Sequence, residues 1–272
     1  MPLRWRGGPE SSPSTVAATM SHTVPLVVAV IPARGGSRRL PRKNLVPLGG
    51  RPLITWSILA GLAASCVDRV VVSTEDEEIA EVAEAAGADV PFRRPVELAG
   101  DHTPDLPVFQ HALRWLASHE GYRPDVVVHL RPTSPARRPG LIDDGVARLL
   151  DSPGASSLRS VSPTPETPHK MWWVGDDGLL SPVCGTLEEE LFNQPRQVLS
   201  DAWVHDGVLD VIRTEVISSG SMSGPRILAF TLGPDEGVDI DRPEDLSDAA
   251  AALARLGQGT EPPTGVRATR SL

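Results

Sequence analysis

Between Leu26 and Ile31 the chain runs LVVAVI, with no polar residue in six positions. A strand wetted on one side alternates, so an unbroken run predicts a strand covered on both faces, as in the parallel sheet of an α/β protein. VDRVVVST at 67–74 and PDVVVHL at 124–130 repeat the signal. Helical periodicity falls between these runs. RPLITWSILAGLAASC predicts a helix within 51–66, and EDEEIAEVAEAAGAD predicts one with an acidic first turn and Gly87 as its stop. DLPVFQHALRWLASHEG and LIDDGVARLLD predict two more. The alternation is that of a doubly wound, mostly parallel α/β sheet.

After about Ser156 the pattern changes to short strands and turns, through SVSPTPETPHKMWWVGDDGLLSP, AWVHDGVLDVIR and RILAFTL. This predicts a small inserted arm of β character at about 160–210, before a last helix after Pro243. The Pro, Ser and Gly content of 1–24 and 257–272 predicts disordered extensions flanking one domain at 25–256, with Met20 a candidate start.

Composition narrows the partners. A formal charge of −9 over 272 residues argues against a nucleic-acid surface, which needs broad basic area, and favours a small anionic ligand. Cys66 and Cys184 stand far apart, which supports neither a disulfide framework nor a cysteine zinc site and makes reducing cytoplasm the expected location. No apolar run approaches a membrane span. Of 26 basic residues only Lys43 and Lys170 are lysine, so lysine is expected mainly where a compact ammonium does what a guanidinium cannot.

Against that acidic background, PARGGSRRLPRKN at 32–44 follows the first strand with Arg34, Arg38, Arg39, Arg42 and Lys43. Gly35 and Gly36 can bring backbone N–H groups close to an anion at the carboxyl edge of the sheet, and Arg34 and Lys43 can neutralise a polyphosphate. Neither the GxxxxGK[ST] nor the GxGxxG pattern is present; a solvated basic turn is the bland reading. In GVDIDRPEDL, Asp239 and Asp241 at i and i+2 share a face of an extended segment and form an oxygen site suited to Mg²⁺ bridging protein and phosphates, or else a polar strand end. In HLRPTSP, Arg131 can pair with a carboxylate, while Thr133 and Ser134 can donate to hydroxyls or phosphate, or the stretch is a Pro-bracketed turn. Arg94 serves a nucleotide or a surface turn, and His205 with Asp206 serves a substrate or a hairpin.

Taken in order, PARGGSRRLPRKN, VVVSTEDEEIAEVA, RPVELAGD, PTSP and DIDRPED resemble the acylneuraminate cytidylyltransferase family of CMP-sugar-acid synthetases, over about Val24 to Leu253. The resemblance implies a Rossmann-like nucleotidyltransferase fold and a homodimer whose arm reaches the partner's site. The implied activity is Mg²⁺-dependent transfer of CMP from CTP to an acidic sugar. It implies CTP contacts from Ala33, Arg34, Gly35, Gly36, Ser37, Lys43, Asn44, Arg94, Thr103 and Asp105, with Asn44 and Arg94 at the base. Metal carboxylates would be Asp239 and Asp241. Acceptor contacts would be Arg131, Thr133, Ser134, Lys170, Arg196, His205, Asp206 and Asp210, with Lys170 near the arm. No side chain in these motifs is an obvious general base. Three departures leave the basic loop, Arg94 and the metal carboxylates unchanged: Arg131 replaces a common Gln, Asp206-Gly207 followed by Asp210 replaces Asn-Gly followed by Tyr, and Pro104-Asp105 replaces Ser-Ser. Arg131 is therefore expected to meet an acceptor anion, unless Asp105 or Asp206 holds it as an ion pair. A sugar-1-phosphate nucleotidyltransferase and a non-catalytic nucleotide-binding homologue are the alternative readings.

Overall fold

A computed structural model describes residues 24–233 and 236–258. The extensions expected at 1–24 and 257–272 lie outside the described residues, except Val24, Gly257 and Gln258. The chain begins with β1 (Val27–Pro32), a short hairpin of β2 (Pro47–Leu48) and β3 (Arg51–Pro52), α1 (Leu53–Ala63), β4 (Arg69–Ser73), α2 (Glu77–Ala85), α3 (Asp105–His119), β5 (Val126–His129) and α4 (Leu141–Leu150). It continues with β6 (Ser157–Pro163), β7 (Trp172–Val174), β8 (Leu180–Pro182), β9 (Trp203–Arg213), α5 (Thr214–Ser218), β10 (Ile227–Thr231) and α6 (Asp245–Arg255).

The six-stranded sheet has the order β10-β6-β9-β5-β1-β4. β1 pairs in parallel with both β4 and β5, β10 pairs in parallel with β6, and β9 runs antiparallel between β5 and β6. The sheet is thus mostly parallel, as its unbroken apolar runs predict. Alternate residues of β1 go to opposite faces. Val27, Ala29 and Ile31 join Ile54, Ile58 and Val146, whereas Val28 and Val30 join Phe109, Leu116 and Ile217. Cover on both faces explains why the strand shows no alternation.

Two local choices follow directly from residue type. The Asp76 carboxylate accepts from the Ile79 N–H at 3.0 Å and caps α2, and Gly87, at φ +95°, ends that helix where a Cβ would be strained. The expected arm divides. β6 and most of β9 belong to the central sheet, and residues 164–202 leave it to form the β7–β8 hairpin and short 3₁₀ turns. Trp173, Val174, Leu179 and Leu187 are exposed on this excursion.

From β1 the chain winds to β4 on one side and then returns to β5 on the other. The strand order therefore reverses between β1 and β5, the position where open α/β sheets bind ligands beyond their strand ends.

Candidate functional site

A cavity of about 300 Å³ opens at that reversal. Arg34, Ser37, Lys43 and Asn44 reach it from the loop after β1, Arg94, Thr103 and Asp105 from the segment before and at the start of α3, and Arg131 and Thr133 from the turn after β5. Residues nearly a hundred positions apart thus line one space because β1 and β5 are neighbours in register. Arg94 is buried, donating from Nε to Ser73 Oγ at 3.1 Å and from a second nitrogen to the Ser73 carbonyl. Burial holds its guanidinium below the usual arginine range. Asn44, also buried, donates to the Arg34 carbonyl at 2.9 Å and ties the two ends of the basic loop together.

The loop's positive charges are paired with nearby acids. Arg34 lies 3.2 Å from Asp101, which also pairs with Arg38, and Arg42 pairs with Asp76 and Glu78. Gly35 does not present its N–H to a ligand, because that group donates to Glu75 Oε1 at 2.7 Å. Its lack of a side chain has another cause: a Cβ would stand 2.4 Å from Asp76 Oδ2. Gly35→Ala is therefore expected to displace the carboxylate that both caps α2 and holds Arg42, costing about 1–3 kcal/mol of stability. An unchanged denaturation midpoint would show that the loop yields without cost. Around Gly36, by contrast, the space is open.

Asp239 and Asp241 are both exposed and flank the fully buried Ile240, which packs with Leu53, Trp56 and Leu253 between α1 and α6. The Ile240 N–H donates to the Thr133 carbonyl at 2.8 Å, pinning the acidic segment to the turn after β5. Lys43 Nζ donates to the Ile240 carbonyl at 2.8 Å and to Asp241 at 3.1 Å, with Arg39 also at 3.1 Å from Asp241. Among the described residues Asp239 receives a single, long 3.4 Å hydrogen bond, from Ser134 Oγ. No group of three or more His, Cys, Asp or Glu able to hold a metal occurs among the described residues. The donor chemistry fits a hard cation held by two carboxylates and completed by ligand oxygens and water, the usual mode for Mg²⁺.

The residues expected to meet the acceptor have partners of their own within the protein. Arg131 is held by neither Asp206 nor, at 4.0 Å, by a close pair with Asp105; its Nη1 donates to Asp210 Oδ2 at 2.8 Å and to the Gly207 carbonyl at 3.3 Å. Asp210, expected to touch substrate, is 1% exposed. Burial alone would raise its pKa. The His205 hydrogen bond and the Arg131 and Arg159 charges outweigh that, and its carboxyl stays well below the usual range. Asp206 is occupied by the Ser160 and Ser162 hydroxyls and by the Val208 N–H. Lys170 and Arg196 are exposed on the 164–202 excursion and do not line this cavity.

Three residues were missed. His129 lines the cavity, buried against Phe109, and burial drives its pKa well below the ordinary value. Arg159, on β6, shares Asp210 at 2.7 Å. Arg137 is buried with no carboxylate in contact among the described residues; it donates to the Val208 and Arg131 carbonyls at 2.8 and 3.1 Å and to Ser57 Oγ at 2.9 Å. Burial draws it down to about 9, so it keeps its proton at neutral pH. Only the PTSP turn beside Arg137 marked that region in the sequence.

The sequence signature of the family described as "Cytidylyltransferase" matches residues 28–165. A CMP-N,N'-diacetyllegionaminic acid synthase of Legionella pneumophila is 42% identical over 223 residues, 80% of this chain and 92% of that protein. An N-acylneuraminate cytidylyltransferase A of Danio rerio is 31% identical over 89% of this chain, which spans about half (54%) of that longer protein. In fold, the chain resembles the structure of a CMP:2-keto-3-deoxy-manno-octonic acid synthetase complexed with CTP, with TM-score 0.63, 21% identity, and coverage of 85% of this chain and 99% of that one.

Proposed function

The chain belongs to the cytidylyltransferase family of nucleotidyltransferases, and from that premise we propose that it transfers CMP from CTP to a hydroxyl of an acidic nonulosonic or related keto sugar. The observation that carries this reading is the meeting of the basic loop and the turn after β5 around one cavity, with the acidic pair tied to two of its lining residues by the Lys43–Asp241 contact and by the Ile240 N–H donated to Thr133. The acceptor oxygen forms a bond to the α-phosphorus, the bond from that phosphorus to the pyrophosphate oxygen breaks, and the hydroxyl proton passes to water.

Positioning and charge neutralisation dominate such a transfer. Arg34 and Lys43 grip the triphosphate by exchanging their Asp101 and Asp241 partners for phosphate oxygens. Asn44 and Arg94 hold the base. Asp239 and Asp241 would hold Mg²⁺, which when bound supplies further charge neutralisation on the phosphates. Cytoplasmic location belongs to the same reading, as does a homodimer, which the exposed apolar residues of 164–202 support. Among the described residues no helix is long and apolar enough to cross a membrane.

Because Asn44 and Arg94 are buried donors with fixed partners, they cannot readjust to a different base edge. CTP is expected to be preferred over UTP, ATP and GTP by at least about 100-fold in kcat/KM, as for sites whose polar groups go unpaired with the wrong substrate. Pyrophosphate release across the four nucleotides, with a panel of acidic sugars, measures this. Equal turnover with UTP at saturating Mg²⁺ would refute the cytidylyl assignment.

A further inference from the structure

Four side chains able to carry positive charge converge on one carboxylate, and two of them, His129 and Arg131, line the cavity. Asp210 Oδ2 accepts from Arg131 at 2.8 Å and faces His129 Nδ1 at 3.7 Å; Oδ1 accepts from Arg159 at 2.7 Å and faces His205 Nε2 at 3.5 Å. The strand register builds this hub. Asp210 lies opposite His129 on β5 and Arg159 on β6, at the centre of the sheet.

His205 is five positions earlier on β9 and would ordinarily lie well along the strand. The β6–β9 register is interrupted between Arg159 and Val161, so that Val161 pairs with His205 while Arg159 pairs with Asp210. The extra residues of β9 form a bulge, with Gly207 at φ +75° and the Asp206 carboxylate gripped by Ser160 and Ser162. The bulge returns His205 to the carboxylate. Asp206 is thereby occupied by two serine hydroxyls and the Val208 N–H, and Asp105 stands 4.0 Å from Arg131, outside hydrogen-bonding range. One buried negative charge is left to orient two permanent positive charges, while the Arg131, Arg159 and His205 side chains stay 23%, 29% and 35% exposed.

We propose that Asp210 is a positioning residue that holds the guanidinium groups of Arg131 and Arg159, with the His205 ring beside them, as a wall of donors receiving the carboxylate of the acceptor sugar. Asp210 itself does not meet the substrate, because both its oxygens are occupied and it is buried. The inference rests on the sugar-acid reading above and adds Arg159 to it.

The test is a division of kinetic constants. With the acceptor that the natural enzyme turns over best, Asp210→Asn is expected to raise the acceptor KM about 30-fold while the CTP KM moves by less than about twofold, since charge-assisted hydrogen bonds to one ligand are lost. Asp210→Glu should recover part of that affinity. Arg159→Gln, at a partly exposed position, should keep the fold and raise the acceptor KM about 5-fold or more. It therefore carries the test if Asp210→Asn does not fold. Acceptor and CTP constants that rise together, or an acceptor KM unmoved by Arg159→Gln, would overturn the proposal. Failure of the natural enzyme to use any sugar acid would instead refute the cytidylyl reading, and this inference with it.

Discussion

Replacing Asp241 or Asp239 with asparagine is expected to lower kcat about a thousandfold, roughly 4 kcal/mol of transition-state stabilisation, with the fold retained. The two carboxylates project to solvent on either side of buried Ile240, so removing one charge leaves the apolar anchor between α1 and α6 intact. The pairs lost at Asp241, with Lys43 and Arg39, involve a carboxylate that is 52% exposed, and such pairs contribute at most about 1 kcal/mol. Stability and activity should therefore separate. Circular dichroism and a melting curve would report the first, and pyrophosphate release against Mg²⁺ concentration the second. An Asp241→Asn enzyme with normal turnover and normal Mg²⁺ dependence would show that the acidic pair only leads the chain into α6.

Arg131→Gln is expected to lower kcat/KM for the natural acceptor about 100-fold, the order of a lost charged hydrogen bond in a partly desolvated site. Constants for CTP should change little, because Arg34, Lys43, Asn44 and Arg94 are held by other partners. The variant should fold, since Asp210 keeps Arg159 as a partner. N-acetylneuraminic acid is expected to be a poor acceptor of the natural enzyme, because a fixed cation with five donors and no acceptor stands where relatives commonly offer a neutral amide. Kinetics with several acidic sugars decide this. Efficient use of N-acetylneuraminic acid by the natural enzyme would refute the expectation. Two departures from the sialic-acid pattern that look independent along the chain, Arg131 and Asp210, meet at 2.8 Å. The cation and the buried anion are thus one substitution in physical terms, each removing the cost of the other.

Much of the fold was legible because strand and helix periods are local. The apolar runs marked β1, β4 and β5, the helical spacing marked α1 to α4, and Gly87 marked its stop. β9 was not recognisable as a central strand. Its polar start at Trp203–Asp206 and its bulge break the alternation, and what makes it central is pairing with β5 and β6, which no local pattern encodes.

The same division runs through the site. Sequence alone determined that the basic loop and the PTSP turn lie at strand ends and that an acidic pair stands near the last helix, because short motifs carry their own backbone requirements. Only the tertiary structure decided which charges are free and which are taken. It gave the Gly35 N–H to Glu75, Asp206 to two serines, and Arg131 to a carboxylate buried beneath it. Ion pairing depends on distances between strands far apart in the chain, and burial determines whether a charge meets ligand or partner. Both are properties of the closed sheet rather than of any segment in it.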